Sequence, residues 1–147
     1  MPLVHSAVTL EVLDVGAHTA LVTSSRAGAV ATFVGMIRDH DPEADGVVTG
    51  IDYTHHPDAP AFLETMVERV LAEHDPRGEA SVAVSHRVGH LDVGELALVC
   101  CVATPHRAAA FALCEGIVEV IKAELPIWKH QTEASGRRVW SQLGLAE

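Results

Sequence analysis

One stretch, from Thr104-Pro105 to Leu125-Pro126, carries apolar residues at helical spacing and has a proline near each end. Thr104 is a good N-cap, and Pro105 suits the first helical position, where the backbone N–H has no partner to lose. Pro126 lacks the N–H needed to continue, so the helix ends before it. Phe111, Cys114, Ile117 or Val118, Ile121 and Leu125 form the expected buried stripe. A helix of this length needs an apolar surface to cover, and the segments around it read as strands.

Val8 to Val12 reads as a short strand, and Val15 to about Ser25 as a helix ending before Gly28. Ala29 to Ile37 is nearly all apolar and reads as a central strand. The polar segment "DHDPEADG" after Arg38 is a loop, and Val47 to Thr54 is the next strand. Asp58 and Pro60 open a helix that ends near His74, with Phe62, Met66, Val70 and also Leu63 and Val67 on its apolar face. Ser81 to Ser85 and Leu96 to Ala103 are strands, joined by the turn-rich "RVGHLDVGE". Ile127 to Thr132 and Arg138 to Trp140 form a terminal hairpin around Ala134-Ser135-Gly136. Strands outnumber helices without strict alternation, so the class is α+β with a mostly antiparallel sheet. The 147 residues fit one domain, 1–147.

Ten Lys plus Arg against twenty Asp plus Glu give a net charge of -10, which argues against a nucleic-acid surface. No apolar run approaches the ~20 residues that span a bilayer, and no signal pattern opens the chain, so a soluble cytoplasmic protein is expected. Cys100 and Cys101 are neighbours on a strand and point to opposite faces, and no CxxC pair exists. The three cysteines read as small buried hydrophobes. His86 and His90 are four residues apart, but Gly89 and the strand pattern put them outside a helix, so no metal site is expected.

The scarce cations gather around the long helix: His106 and Arg107 at its start, Lys122 near its end, Lys129 and His130 just past it. Free N–H groups and the helix dipole favour an anion at His106 and Arg107. Arg38, just past a central strand, carries a planar fork suited to phosphate or carboxylate. The competing reading of Lys122 is a solvated helix edge, with Glu115 and Glu119 at ion-pair spacing. Arg107 and Lys122 lie fifteen residues apart on one helix, roughly 22 Å along its axis. If both serve one small substrate, a two-fold dimer with pockets shared between protomers is the simplest geometry.

In order and spacing, "ATFVGMIRDH" (31–40), "SHRVGHLDVGE" (85–95), "TPHRAAAF" (104–111) and "IKAELPIWKHQ" (121–131) resemble the MoaE family, the large catalytic subunits of molybdopterin synthase. The likeness runs from about Val8 to Trp140. It implies an α/β hammerhead-type fold. It also implies transfer of two sulfurs to cyclic pyranopterin monophosphate from the thiocarboxylated C-terminal Gly-Gly tail of a small ubiquitin-like carrier of the MoaD type. The sulfur arrives with the carrier, so no dedicated cysteine and no cofactor are expected.

The same resemblance implies Lys122 and Lys129 as catalytic residues. Met36, Ile37, Arg38, His106, Arg107, Lys122, Lys129, His130 and Gln131 are the implied substrate-binding set. His86-Arg87 matches a family motif that shapes the fold more than the chemistry. Met36 and Thr54-His55-His56 depart from the family's usual residues at those places. The implied assembly is a homodimeric core with two carriers, a heterotetramer, the carrier covering an apolar patch near Ile127, Trp128, Trp140, Leu143 and Leu145. A different class of function, a dimeric module that only binds a phosphorylated metabolite, needs the same anion-binding cations but no converging lysines and no groove for a tail.

Overall fold

A computed structural model describes residues 3–41 and 46–142 of the chain. In chain order its elements are β1 (Leu3–Thr9), α1 (Val15–Val22), β2 (Ala29–Met36), β3 (Val48–His55), α2 (Ala59–His74), β4 (Ser81–Arg87), β5 (Gly89–Asp92), β6 (Leu96–Thr104), α3 (Arg107–Glu124), β7 (Ile127–Glu133) and β8 (Arg138–Gln142). The class is α+β, as expected, but the strands divide into two four-stranded sheets. One has the order β1-β4-β6-β2 and the other β5-β3-β7-β8. All pairings are antiparallel except β1 with β4.

β6 explains how the first sheet is covered. Ala97 to Thr104 are all buried, because helices lie on both faces of the sheet and leave no side of the strand for polar residues. Leu98, Cys100 and Val102 face the main core with α2 and α3, whereas Val99, Cys101 and Ala103 face a smaller core under α1. β4 alternates in the same sense, with Val82 and Val84 in the main core and Ala83 in the smaller one. The second sheet adds Val48, Ile51, Tyr53, Leu91 and Ile127 to the main core.

Several boundaries differ from the sequence expectation. The first strand is Leu3–Thr9, not Val8 to Val12, and Val12 is exposed. α1 stops at Val22, where Thr23 turns extended and its N–H still reaches the Thr19 carbonyl. "RVGHLDVGE" holds the short strand β5, set off by Gly89 at φ +89°, a value that favours glycine. β6 runs on through Thr104, so the N-cap of α3 is His106 and Thr104 has another task. Its hydroxyl donates to the His106 carbonyl at 2.6 Å, and its own carbonyl accepts from Gly28 N–H at 3.0 Å. A Cβ on Gly28 would collide with the Pro105 carbonyl oxygen, so only glycine permits this close packing at the start of α3.

Two expected core aromatics are also displaced. Phe111 and Phe62 are exposed, and the buried faces instead carry Ala110, Leu113, Cys114, Ile117, Val118 and Ile121 on α3, and Leu63, Met66, Val67, Val70 and Leu71 on α2. Phe111 follows the buried Ala110 and Phe62 precedes the buried Leu63, each one step off the inner face of its helix. The difference is measurable. Leu63→Ala, at 0% exposure, is expected to cost about 2–5 kcal/mol in urea unfolding. Phe62→Ala next to it should cost less than about 1 kcal/mol. Equal losses would contradict this assignment of the α2 faces.

Candidate functional site

Lys129 is the most buried cation of the site, at 8% exposure. It stands on β7, where strand alternation sends Ile127, Lys129, Gln131 and Glu133 inward and leaves Trp128 exposed on the other face. A buried ammonium needs a compensating partner, and Asp41 supplies one. Lys129 Nζ donates to Asp41 Oδ2 at 3.3 Å, and both side chains are about a tenth exposed or less. Asp41 reaches this place because the chain leaving β2 is tied on both sides. Ile37 N–H donates to the Glu95 carbonyl at 3.0 Å, and Val48 N–H to the Asp39 carbonyl at 2.8 Å.

Across the sheet Lys129 pairs with Tyr53 of β3. Tyr53 stands edge-on to His86 of β4, with ring centres 5.0 Å apart and planes at 79°. His86 in turn lies within the field of Lys122 on the last turn of α3. The two lysines therefore come from different elements, α3 and β7, while Tyr53 of β3 and His86 of β4 form an edge-on pair. The sequence reading put the two lysines on adjacent elements, where they stand, and gave no sign of the edge-on pair of Tyr53 and His86.

His86 is 1% exposed. Its Nδ1 lies 2.7 Å from the Arg87 carbonyl, so Nδ1 carries the proton and Nε2 is the lone-pair nitrogen of the neutral ring. Burial pulls its pKa down to about 4, with the charge of Lys122 pushing the same way against the Arg87 hydrogen bond. The ring is thus neutral beside an ammonium.

The other candidates take varied positions. Arg38 and Met36 are exposed at the end of β2, whereas Ile37 between them is 4% exposed and belongs to the main core. His106 and Arg107 are exposed at the N-cap and first position of α3, where the free amides of the helix also point. Gln131 is fully buried, and neither its Nε2 nor its Oε1 has a hydrogen-bond partner. His130 stacks on Trp140 at 4.0 Å, on the face of β7 opposite Lys129. Ile127, expected near the pocket mouth, is fully buried; Trp128 and Trp140 are exposed, and Leu143 and Leu145 lie outside the described residues.

Sequence reading did not single out Asp41 or Tyr53, and it gave His86 a part in the fold more than in the chemistry. The signal for His86 was present in the strand period: Val82, Val84 and His86 share a face, and a titratable group closing an apolar row needs a reason. Cys100 and Cys101 face opposite cores, and all three cysteines are buried and free. The hydrogen bond with Cys114 and burial both push the Cys100 thiol up, which keeps it protonated. His90 is exposed between two carboxylates, Asp92 at 2.9 Å and Asp52 at 3.1 Å, and these hydrogen bonds raise its pKa. Among the described residues no group of three or more His, Cys, Asp or Glu is arranged to hold a metal ion.

The neutral state of His86 has a pH signature. In the unfolded chain its pKa is near 6.5, so between pH 6.5 and 4 the unfolded state takes up a proton that the folded state refuses. Stability due to this residue is therefore complete above pH 6.5 and falls as the pH drops to 4, by about 3 kcal/mol in all. Urea midpoints measured across this range should show the loss, and a folded His86→Gln variant should lose correspondingly less. An unchanged slope in the variant would contradict a buried neutral ring.

The family model described as "MoaE protein" matches residues 8–124. The chain is 35% identical over 124 residues to molybdopterin synthase catalytic subunit 1 of Mycobacterium tuberculosis, covering 84% of this chain and 82% of that one. Among solved structures it superimposes on molybdopterin synthase from Staphylococcus aureus with a TM-score of 0.80 at 24% identity, covering 92% of this chain and 94% of the other. A protein–protein complex of subunits 1 and 2 of molybdopterin-converting factor from Helicobacter pylori matches with a TM-score of 0.71 at 21% identity, covering 97% and 91%. These two likenesses concern the fold.

Proposed function

The chain belongs to the MoaE family, and from that membership we infer that it is the catalytic subunit of a molybdopterin synthase, a sulfur-transferring enzyme. Its substrate is cyclic pyranopterin monophosphate, and the sulfurs come from the thiocarboxylated Gly-Gly terminus of a small ubiquitin-like carrier. The observation that carries the assignment of roles is the inward-facing Lys129, buried on β7 and held by Asp41. An amine can give up and regain a proton during the reaction, whereas a guanidinium stays charged. Lys122 and Lys129 therefore stabilise charge and move protons where sulfur is received, while Arg38, His106 and Arg107 hold the anionic pterin.

Gln131, next to Lys129 on the inner face, offers a donor and an acceptor that the fold leaves unused, consistent with substrate binding. Met36 stands exposed with Arg38 in the wall, with Ile37 buried between them, and His130 with Trp140 belongs to the surface that meets the carrier. Glycines in the carrier tail suit a narrow approach because they have no side chains. The assembly is a dimeric core with one carrier on each protomer, in keeping with the two-subunit complex of the Helicobacter pylori neighbour. Three free, buried cysteines fit a reducing cytoplasm. No helix among the described residues is long and apolar enough to cross a membrane.

The test is sulfur transfer in a single cycle with thiocarboxylated carrier. Lys122→Ala and Lys129→Ala should depress turnover at saturating substrate while remaining folded, and a carrier lacking its last two glycines should neither bind equally nor transfer sulfur. Normal turnover by the lysine variants, or equal performance of the truncated carrier, would leave only a binding module.

The pocket is shared between protomers. α3 spans 18 residues, about 27 Å, so His106 and Arg107 cannot meet Lys122 of the same helix around one pterin. The open edge of the first sheet supports the dimer. β2 is an edge strand, and an apolar groove runs between it and α3, lined by Ala31, Phe33, Phe111, Cys114 and Val118. Subunits carrying Arg107→Ala and subunits carrying Lys122→Ala should be inactive separately. After mixing and exchange they should recover about a quarter of wild-type activity, because half the dimers are mixed and each of these holds one intact pocket. No recovery despite verified exchange would place both residues in a pocket of one chain.

A further inference from the structure

We propose that Ser85 and the two histidines that share its hydroxyl, His5 and His18, form a proton-sensitive latch, which holds α1 against the first sheet at neutral pH and releases it on mild acidification, uncovering Cys101. α1 is weakly fixed. Of its eight residues only His18 and Val22 are buried, and a helix this short does not persist without tertiary contacts. His18 is thus one of its two anchors. Its Nδ1 lies 2.6 Å from the Asp14 carbonyl oxygen, and its Nε2 lies 2.8 Å from Ser85 Oγ of β4. His5 of β1 brings its own Nε2 to 3.1 Å from the same oxygen, and the two rings stand edge to face with centres 5.6 Å apart. Beneath α1, Cys101 of β6 is fully buried, with the hydroxyl of Thr19 on α1 at 3.8 Å from its sulfur and that of Thr32 on β2 at 3.5 Å.

The chemistry of the groups fixes the direction of each bond. A carbonyl oxygen only accepts, so His18 Nδ1 carries a proton, and Nε2 of the neutral ring is a lone pair. Ser85 must then donate to His18 and accept from His5 Nε2–H, a chain in which each of these groups is satisfied. A proton on His18 Nε2 reverses the first of these bonds. Ser85 Oγ would face two N–H donors, and its own proton would lose its acceptor at a position 1% exposed. The surroundings do little to compensate an imidazolium here. β1, β2, β4 and β6 carry no carboxylate, and the Asp14 carboxylate already accepts from Ala17 N–H at 3.0 Å. Cys101 faces the pair from β6 as a neutral thiol, and Arg87, two positions along β4 from Ser85, is paired with Glu95 at 3.5 Å. Burial, and after it the charge of His18, hold the His5 pKa below its ordinary value of 6.5. The stability that His5 contributes is therefore complete above pH 6.5 and is lost as the pH falls further.

Neighbouring cysteines on opposite faces of β6 make the test possible, because Cys101 faces the smaller core under α1 and Cys100 the main core. Wild type, His18→Gln and Ser85→Ala are treated with N-ethylmaleimide at pH 7.5 and pH 5, and fragment mass spectrometry separates the two thiols. Each rate is divided by that of the same cysteine in the urea-denatured chain at the same pH, which removes the reagent's own pH dependence. The ratio of Cys101 to Cys100 then isolates the lifting of α1, since opening of the whole chain exposes both. In wild type this ratio should rise at least tenfold between pH 7.5 and pH 5. In His18→Gln, whose carboxamide oxygen accepts from Ser85 but takes up no proton in this range, it should change less than threefold. In Ser85→Ala, which lacks the shared hydroxyl, it should stand at least tenfold above wild type already at pH 7.5. A ratio that stays constant with pH in wild type would overturn the inference, because the two thiols would then open only together. An undiminished pH response in His18→Gln would overturn it as well, and should that variant not fold, a wild-type ratio and response in Ser85→Ala would do the same.

Discussion

Putting the Lys129 ammonium inside the protein removes much of its hydration, and a charge so placed persists only with a compensating partner. Asp41 is that partner, and it lies in the segment that connects β2 of one sheet to β3 of the other. The ion pair therefore links the second sheet to the connection leaving the first. Removing the carboxylate alone would leave a buried cation uncompensated, whereas an apolar pair of similar volume would be tolerated by the fold.

Around this pair the site mixes rigid and exposed parts. Tyr53, His86, Lys129 and Gln131 are buried on strands, where hydrogen-bonded neighbours fix the backbone. Arg38, His106 and Arg107 are exposed at element ends. The buried groups are held with little motion, and the exposed cations offer local positive charge in a protein whose overall charge is -10. The corner at Gly28 and Thr104 adds rigidity where α3 begins, since its hydrogen bonds hold the backbone that carries His106 and Arg107.

Much of this was legible in the chain because local signals and tertiary packing agreed. The all-apolar run of β6, the early-turn proline of α2 and the stop at Pro126 each act within a few residues. The misplaced first strand has a different cause. Val8 to Val12 is as apolar as Leu3 to Thr9, and only pairing with β4 selects the earlier register. Phe111 and Phe62 fit a helical stripe by spacing, but packing turns the neighbouring Ala110 and Leu63 inward instead. The site showed the same division. Its cations stood out as charges in an acidic chain, while Asp41, Tyr53 and His86 are joined by contacts between distant segments that no local pattern encodes.

The one parallel pairing also bears on how the molecule forms. Thr9 meets Arg87 across β1 and β4, a separation of 87 − 9 = 78 positions, and β6 pairs with β4 from the other side. Closing so long a loop is entropically unfavourable until other contacts have drawn its ends together. During synthesis the first strand must wait, unpaired, while helices α1 and α2 and two further strands leave the ribosome. β4 and β6 need only a short turn-rich connection to meet, so the centre of the first sheet can assemble before its N-terminal edge is sealed.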